Sequence, residues 1–233
     1  MRLALIGHGA MGKLIEKQAH KAGDEIGLVM TSKHSNGRLV AELADPLKGH
    51  DVAIDFSVGG AVLTNVKACM RAGVPLVEGT TGWQNRELDV RRIVSEHNGA
   101  LVYAANFSVG VNIFYKITAR ASELMAHLGQ YEAFIEEHHH SRKRDVPSGT
   151  ALKLQELMAE HLDVDVQIAS TRAGQAPGTH RVGFDSSADQ ITITHMARSR
   201  AGFAAGALMA ARWIVGRKGV YEFSEVIDEI IEK

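Results

Sequence analysis

The chain is poor in the features that would commit it to an extracellular, membrane or nucleic-acid role. Cysteine is nearly absent: Cys69, alone among 233 residues, cannot close an intramolecular disulfide. It lies with Val62, Val66 and Met70 at helical spacing, the place of a small buried residue rather than of a nucleophile. Charge of one sign is missing too, since 26 Lys and Arg stand against 27 Asp and Glu. No global field therefore recommends nucleic acid or an anionic membrane as partner, and any anion must be recognised locally. No apolar run approaches the ~20 residues of a membrane span, and the N-terminal MRLALIGHGAMG is too short in its apolar part and too glycine-rich for a signal peptide. Low-complexity tracts, polybasic tails and internal repeats are also lacking. The expectation is a soluble cytoplasmic protein of one large or two small domains, these commonly running to roughly 100–200 residues.

What is present is rhythm. Short apolar runs at Arg2 to Ile6, Glu25 to Met30, Val52 to Phe56, Pro75 to Glu78 and Ala100 to Tyr103 have strand length. Helical spacing occupies Lys13 to Lys21, Ala61 to Arg71 and Gln84 to His97. Strand and helix alternate, which predicts a doubly wound parallel sheet covered on both faces. After Phe107 the rhythm changes. A helix from Val111 to Leu128, an alternating stretch from Tyr131 to Glu137, a helix from Ala151 to His161 and an alternating QITITHM at Gln190 to Met196 predict an α+β domain on a mixed or antiparallel sheet. Ala201 to Val215 is helical, and the amphipathic Phe223 to Ile231 is expected to return to the first domain. The division is therefore 1–106 with 203–233, and 107–202.

Four stretches sit where an open α/β sheet binds ligands, at strand carboxyl ends. Gly7-x-Gly9-x-x-Gly12 joins a strand to a helix. Glycines there permit a tight turn and close backbone approach to a pyrophosphate that faces the helix N-terminus. Gly7, His8, Gly9, Ala10, Met11 and Gly12 are accordingly cofactor candidates. Thr31 and Lys33 follow the second strand where an NAD-selective site usually carries a carboxylate; hydroxyls and a cation tolerate a 2′-phosphate better. Gly79, Thr80 and Thr81 follow the fourth strand, and Ala104, Ala105, Asn106 and Phe107 the fifth, with Phe107 able to pack on a ring. An ordinary loop is the alternative at each place, and the combination favours a dinucleotide.

The most chemically loaded stretch is EEHHHSRKRDVPSGTALKL, Glu136 to Leu154. On an extended strand adjacent histidines point to opposite faces, cysteines are absent nearby, and Arg142, Lys143 and Arg144 repel a dication, so no metal is assigned. Pro147 ends the segment and Ser148 or Thr150 caps a helix from Ala151. Ser148, Gly149 and Thr150 thus offer N–H groups to a phosphate or carboxylate, with His139, His140 and Lys143 just upstream. A protonating site for a carboxylate-bearing substrate and a basic loop before a capped helix explain these residue types equally well.

Glu137 to Ala151 resembles the signature of the dihydrodipicolinate reductases, roughly E-x-H-H-x-x-K-x-D-x-P-S-G-T-A. GTTGW (Gly79 to Trp83), AANFSVGVN (Ala104 to Asn112) and THMARSRAGFAAGAL (Thr194 to Leu208) follow in family order. The resemblance implies reduction of a cyclic imine precursor of diaminopimelate and lysine with NADH or NADPH. It also implies a small dicarboxylate substrate, a cofactor domain completed by the last helices, and a middle domain that binds substrate and builds a homotetramer. It makes His139 the acid-base histidine, Lys143 the proton donor, His140 a substrate contact, and Gly149 with Thr150 the carboxylate seat. The family's first loop is commonly G-x-x-G-R-M-G; here it is one residue shorter, with Ala10 where an arginine that faces a 2′-phosphate is often found, which weakens a preference for NADPH. The stretch from Leu162 to Arg172 is compact. Rival readings are an aspartate-dehydrogenase-like enzyme and a non-catalytic nucleotide sensor.

Overall fold

The computed structural model describes residues 1–31 and 39–232, which leaves Lys33 outside the described residues. The chain forms two units, 1–109 with 201–233, and 110–200. The first holds β1 (Arg2–Ile6), α1 (Ala10–Lys21), β2 (Glu25–Met30), α2 (Val40–Leu47), β3 (Val52–Asp55), α3 (Val62–Ala72), β4 (Leu76–Glu78), α4 (Glu87–Glu96) and β5 (Ala100–Tyr103). The chain then enters α5 (Val109–Met125), β6 (Glu132–His139), α6 (Gly149–Ala159), β7 (Gln167–Arg172), β8 (Thr179–Asp185) and β9 (Gln190–Met196). It returns through α7 (Ala201–Ile214), β10 (Gly219–Glu222) and α8 (Phe223–Ile231).

Six strands in the order β10-β5-β4-β3-β1-β2 make one wholly parallel sheet. Its inner strands are buried on both faces, which is why they read as short unbroken apolar runs. Two residues break that rule: Asp55 and Glu78, at the carboxyl ends of β3 and β4, are fully buried acids. The boundary predicted at Phe107 shifts by a few residues, because Phe107 is itself core. Its ring packs on Phe56 and Phe223 at 6.0 and 4.9 Å, and the backbone of α7 reaches it so closely that a Cβ on Gly206 would lie 1.7 Å from its carbonyl oxygen. Phe223, fully buried against it, brings α8 back to the first unit as expected.

The second unit is a four-stranded mixed sheet, β7-β6-β8-β9, with β7 parallel and β8 antiparallel to β6. Phe114, Ile135, Leu154, Met158, Val182 and Phe184 form its core. Beyond α2, the strands β7, β8 and β10 extend the predicted elements. Among the described residues no helix is long and apolar enough to cross a membrane.

Candidate functional site

In the first unit the glycine loop has the geometry that its sequence requires. Gly7 adopts φ +88°, which only glycine does cheaply, and its N–H donates to the Met30 carbonyl at 2.8 Å. A Cβ on Gly12 would lie 2.2 Å from the Gly7 oxygen, whereas one on Gly9 would meet nothing within 4 Å. Gly7 and Gly12 are thus packing glycines. Gly9, the N-cap of α1, leaves open space over the first N–H groups of the helix, at exposed Ala10 and partly exposed Met11. The His8 ring is held by Glu16 at 2.8 Å. Thr31 follows directly on β2.

Around the rim, Thr81 and Ala105 are exposed and Gly79, Ala104 and Asn106 are partly so. Thr80 is buried: its N–H donates to Glu78 at 2.7 Å and its hydroxyl accepts the Ser57 N–H at 3.0 Å. It therefore shapes the loop rather than facing a ligand. Phe107 as a whole residue is 1% exposed, so the expected ring platform is not available.

The second unit gathers its chemistry on the inner face of β6. Period-two alternation places Ala133, Ile135, Glu137 and His139 inside and His138 outside, where the His138 ring meets the Ala173 carbonyl at 3.0 Å. Register then brings Ser170 and His180 opposite Glu137, and Arg172 opposite His139. The Glu137 carboxylate accepts from the Ser148 N–H at 3.0 Å, the Ser170 hydroxyl at 2.7 Å and Arg172 Nη2 at 2.6 Å. His139 Nδ1 lies 3.4 Å from Glu137 Oε2, and the His180 ring stands 5.0 Å from that of His139. Gly178 lets the chain pass close by, since a Cβ there would reach His139 Nε2 at 2.9 Å.

Burial works to neutralise Glu137, but its hydrogen bonds from Ser148, Ser170 and Arg172 outweigh it and hold the carboxyl at about 2. Burial lowers His139 below the usual histidine value, with Glu137 opposing and Lys143 and Arg172 adding to the effect. Burial and then the neighbouring His139 bring His180 down to about 4. Near neutral pH the centre is thus an uncharged imidazole 3.4 Å from a fixed carboxylate, with His139 Nδ1 buried and making no hydrogen bond. Lys143, a quarter exposed, pairs with exposed Asp145 at 2.7 Å. His140 donates its N–H to the Ala176 carbonyl at 2.8 Å, and its ring Nδ1 is buried without a partner.

The helix start is resolved in favour of Ser148, whose hydroxyl accepts the Ala151 N–H at 3.2 Å and meets His180 Nε2 at 3.1 Å. This corrects one expectation. The Ser148 N–H is spent on Glu137 and the residue is 2% exposed, so Ser148 builds the site without offering itself to an anion. Gly149, exposed and open over its Cβ position, and Thr150, partly exposed with its side chain bonded to Tyr115, keep the first two helical N–H groups free of intrahelical acceptors.

Glu137, Arg172 and His180 escaped the reading of the sequence. The alternation that ends at Glu137 carries on to His139, which was the available signal for Glu137; the other two depend on strand register. Glu137, His139 and His180 present one donor atom each within 4.8 Å of one another, the residue types of a metal centre. The donors do not suit a dication, because Ser148, Ser170 and the Arg172 guanidinium already occupy Glu137.

Both halves of the chain match known family models: residues 1–107 that of the dihydrodipicolinate reductase N-terminus and residues 110–227 that of its C-terminus. The 4-hydroxy-tetrahydrodipicolinate reductase of Christiangramia forsetii is 36% identical over 251 aligned residues, covering all of both chains. That of Methanoculleus marisnigri is 37% identical over 196 residues, 77% of each. Among solved structures, a dipicolinate-bound dihydrodipicolinate reductase from Paenisporosarcina sp. TG-14 shares the fold with a TM-score of 0.78 at 21% identity, over 97% of this chain and 99% of that one. From the glycine rim to the last helix, the chain belongs to the dihydrodipicolinate reductase family.

Proposed function

We propose that this protein reduces 4-hydroxy-tetrahydrodipicolinate, through its cyclic imine, to tetrahydrodipicolinate in the diaminopimelate route to lysine. The balance is one substrate, one reduced pyridine dinucleotide and one proton in, with product, oxidised dinucleotide and water out. The observation that carries the reading is the buried Glu137–His139 centre, set on one strand beside the N-terminus of α6, in a chain whose two halves both match the family. When bound, the dinucleotide supplies the hydride. The residues of the second unit hold the substrate and deliver the proton. Gly149 and Thr150 N–H groups take a substrate carboxylate, His140 contacts the ring, and Lys143 or His139 protonates it. Positioning matters most, because hydride transfer needs donor and acceptor aligned near contact.

The rim of the first unit takes either NADH or NADPH. No carboxylate follows β2 as far as His34, which admits a 2′-phosphate, and Ala10 offers no arginine to hold one. The outer face of the second sheet, carrying His138, Thr192, Thr194 and a 63% exposed Met196, supports assembly of four copies through that sheet. The reading makes the enzyme cytoplasmic.

Steady-state kinetics with enzymatically generated substrate, run in parallel with NADH and NADPH, test reaction and cofactor together. Turnover with both is expected. Oxidation of dinucleotide only with aspartate or another imino acid would favour a related dehydrogenase, and absence of any turnover a nucleotide sensor. Lys143→Ala is expected to lower kcat about 10²- to 10⁴-fold, the usual worth of a positioned proton donor, with dinucleotide affinity unchanged. Wild-type turnover in that variant would remove Lys143 from the mechanism.

A further inference from the structure

The two buried acids of the parallel sheet have no part in the chemistry described so far. Asp55 and Glu78 are register partners at the ends of adjacent strands, each 0% exposed. They continue the inward face of Ala53 and Leu76, the face covered by α2, α3 and α4. Their bonds go to the ligand rim. Asp55 Oδ1 accepts the Ser57 N–H at 2.8 Å and the Thr80 hydroxyl at 3.4 Å, while Oδ2 accepts from Asn65 at 2.7 Å. Glu78 Oε1 accepts the Thr80 N–H at 2.7 Å, and Thr80 in turn accepts at its carbonyl from Trp83 Nε1 at 2.8 Å. The loops after β3 and β4 touch through backbone, for a Cβ on Gly59 would lie 2.9 Å from the Thr81 and Gly82 oxygens. One atom is left over. Glu78 Oε2 is fully buried without a hydrogen-bond partner, an expensive state for an ionised oxygen and a natural one for a hydroxyl that has Asp55 beside it.

We propose that Asp55 and Glu78 form a carboxyl–carboxylate pair, Glu78 keeping the proton on Oε2 and Asp55 the charge, that positions the loops after β3 and β4 to receive the dinucleotide. Two ionised carboxylates cannot share so small a buried space, and one proton relieves the repulsion. The electrostatics agree in direction: burial first, then the Asp55 charge, raise Glu78 well above the carboxylate range, and burial raises Asp55 against the hydrogen bonds of Ser57 and Asn65. The groups facing the pair are few. From α3 come Asn65 and the buried Cys69, whose thiol burial and then the two acids push up. The buried residues of α2 and α4, among them Leu43, Leu47, Val90 and Ile93, are apolar. Neither acid takes a cation as a partner among its hydrogen bonds or ion pairs in the described residues. Asp55 and Glu78 are positioning residues, acting through Ser57 and Thr80.

The inference rests on the dinucleotide reading of the rim. Its test is the dissociation constant of NADH and NADPH, followed by nicotinamide fluorescence from pH 6 to pH 10, for the wild type, Glu78→Gln and Glu78→Leu. Wild-type affinity is expected to fall as pH rises and the pair loses its proton. Glu78→Gln keeps a donor at Oε2 and an acceptor at Oε1, and is expected to bind as tightly as wild type at pH 6 and to lose the pH dependence. Glu78→Leu releases the Thr80 N–H and is expected to bind about tenfold more weakly at every pH, the worth of one buried hydrogen bond or a little more. Equal affinity of Glu78→Leu and wild type, or a pH profile of Glu78→Gln that follows wild type, would overturn the pair. Failure of the wild type to bind either dinucleotide would instead overturn the reading of the rim, and the pair with it.

Discussion

Each unit buries a glutamate beneath a loop, and the two glutamates are treated in opposite ways. Glu137 in the second unit and Glu78 in the first are both sealed from solvent, and burial pushes both toward the neutral form. Glu137 meets Arg172, two serines and a backbone N–H, and stays charged down to about 2. Glu78 meets one N–H and another carboxyl, and holds its proton well above the usual range. Burial sets the cost, and the partners decide which protonation state bears it. The charged acid stands 3.4 Å from the His139 imidazole; the neutral one shapes the loop after β4, which the proposal makes part of the dinucleotide rim.

The sharpest way to break the comparison is one substitution made at both places. Glu137→Gln should be the more damaging. It keeps an acceptor for Ser148 but leaves the Arg172 guanidinium, 13% exposed at its side chain, without its counter-charge. A loss of about 3 kcal/mol at pH 7 is expected for a broken, largely buried pair, measured by urea unfolding. kcat should fall as well, since the carboxylate 3.4 Å from His139 Nδ1 loses its charge. Unfolding at the wild-type midpoint would mean that Arg172 finds another partner and that the charge of Glu137 is not structural.

His180 gives the next effect and extends the contrast to cations. Its folded value of about 4 lies below the ordinary 6.5, so the unfolded chain binds the proton first. The stability present at and above pH 6.5 is lost as pH falls toward about 4, and this single group accounts for about 3 kcal/mol of that loss. His180→Asn, which keeps a partner for the Ser148 hydroxyl, should flatten the decline between pH 6.5 and pH 4 while costing little at pH 7. Thermal unfolding at pH 7, 6 and 5 checks it, and an unchanged acid slope would assign the decline to other groups.

These contrasts explain what could be read from residues alone. The parallel sheet was legible because strands covered on both faces are unbroken apolar runs, and the glycine loop because Gly7 and Gly12 answer to steric demands that no other residue meets. The capped helix at Ser148 was legible for the same local reason. The strands β7, β8 and β10 were not, although the edge strands β2 and β9 were. In β7 only Ile168, Ser170 and Arg172 turn partly inward, and β10 is a four-residue GVYE with no buried side chain, so their existence depends on backbone pairing with a neighbour far away in the chain. The site suffered similarly. His139 and Lys143 stand in a recognisable motif, but Arg172 and His180 arrive by register across β6, and nothing near either marks it. Glu137 was the one avoidable omission: two residues before His139 on an alternating strand, it had to share the histidine's face.

The smallest expected effect is at Glu78 itself, read as stability rather than affinity. The folded pair keeps a proton that the unfolded glutamate releases near its ordinary value of 4.5. The sign follows: the stability due to the protonated pair is complete below the unfolded value and is lost as pH rises through the raised folded value. Gln at this position retains the Thr80 and Asp55 hydrogen bonds and has no proton to lose. Glu78→Gln should therefore match wild type within about 1 kcal/mol at about pH 4, below the unfolded value, the scale of one hydrogen bond, and exceed it progressively toward pH 9. Urea midpoints at the two pH values give the difference directly. A Glu78→Gln curve that falls with pH as steeply as wild type would show that Glu78 is ionised in the fold, and would make the two buried glutamates alike after all.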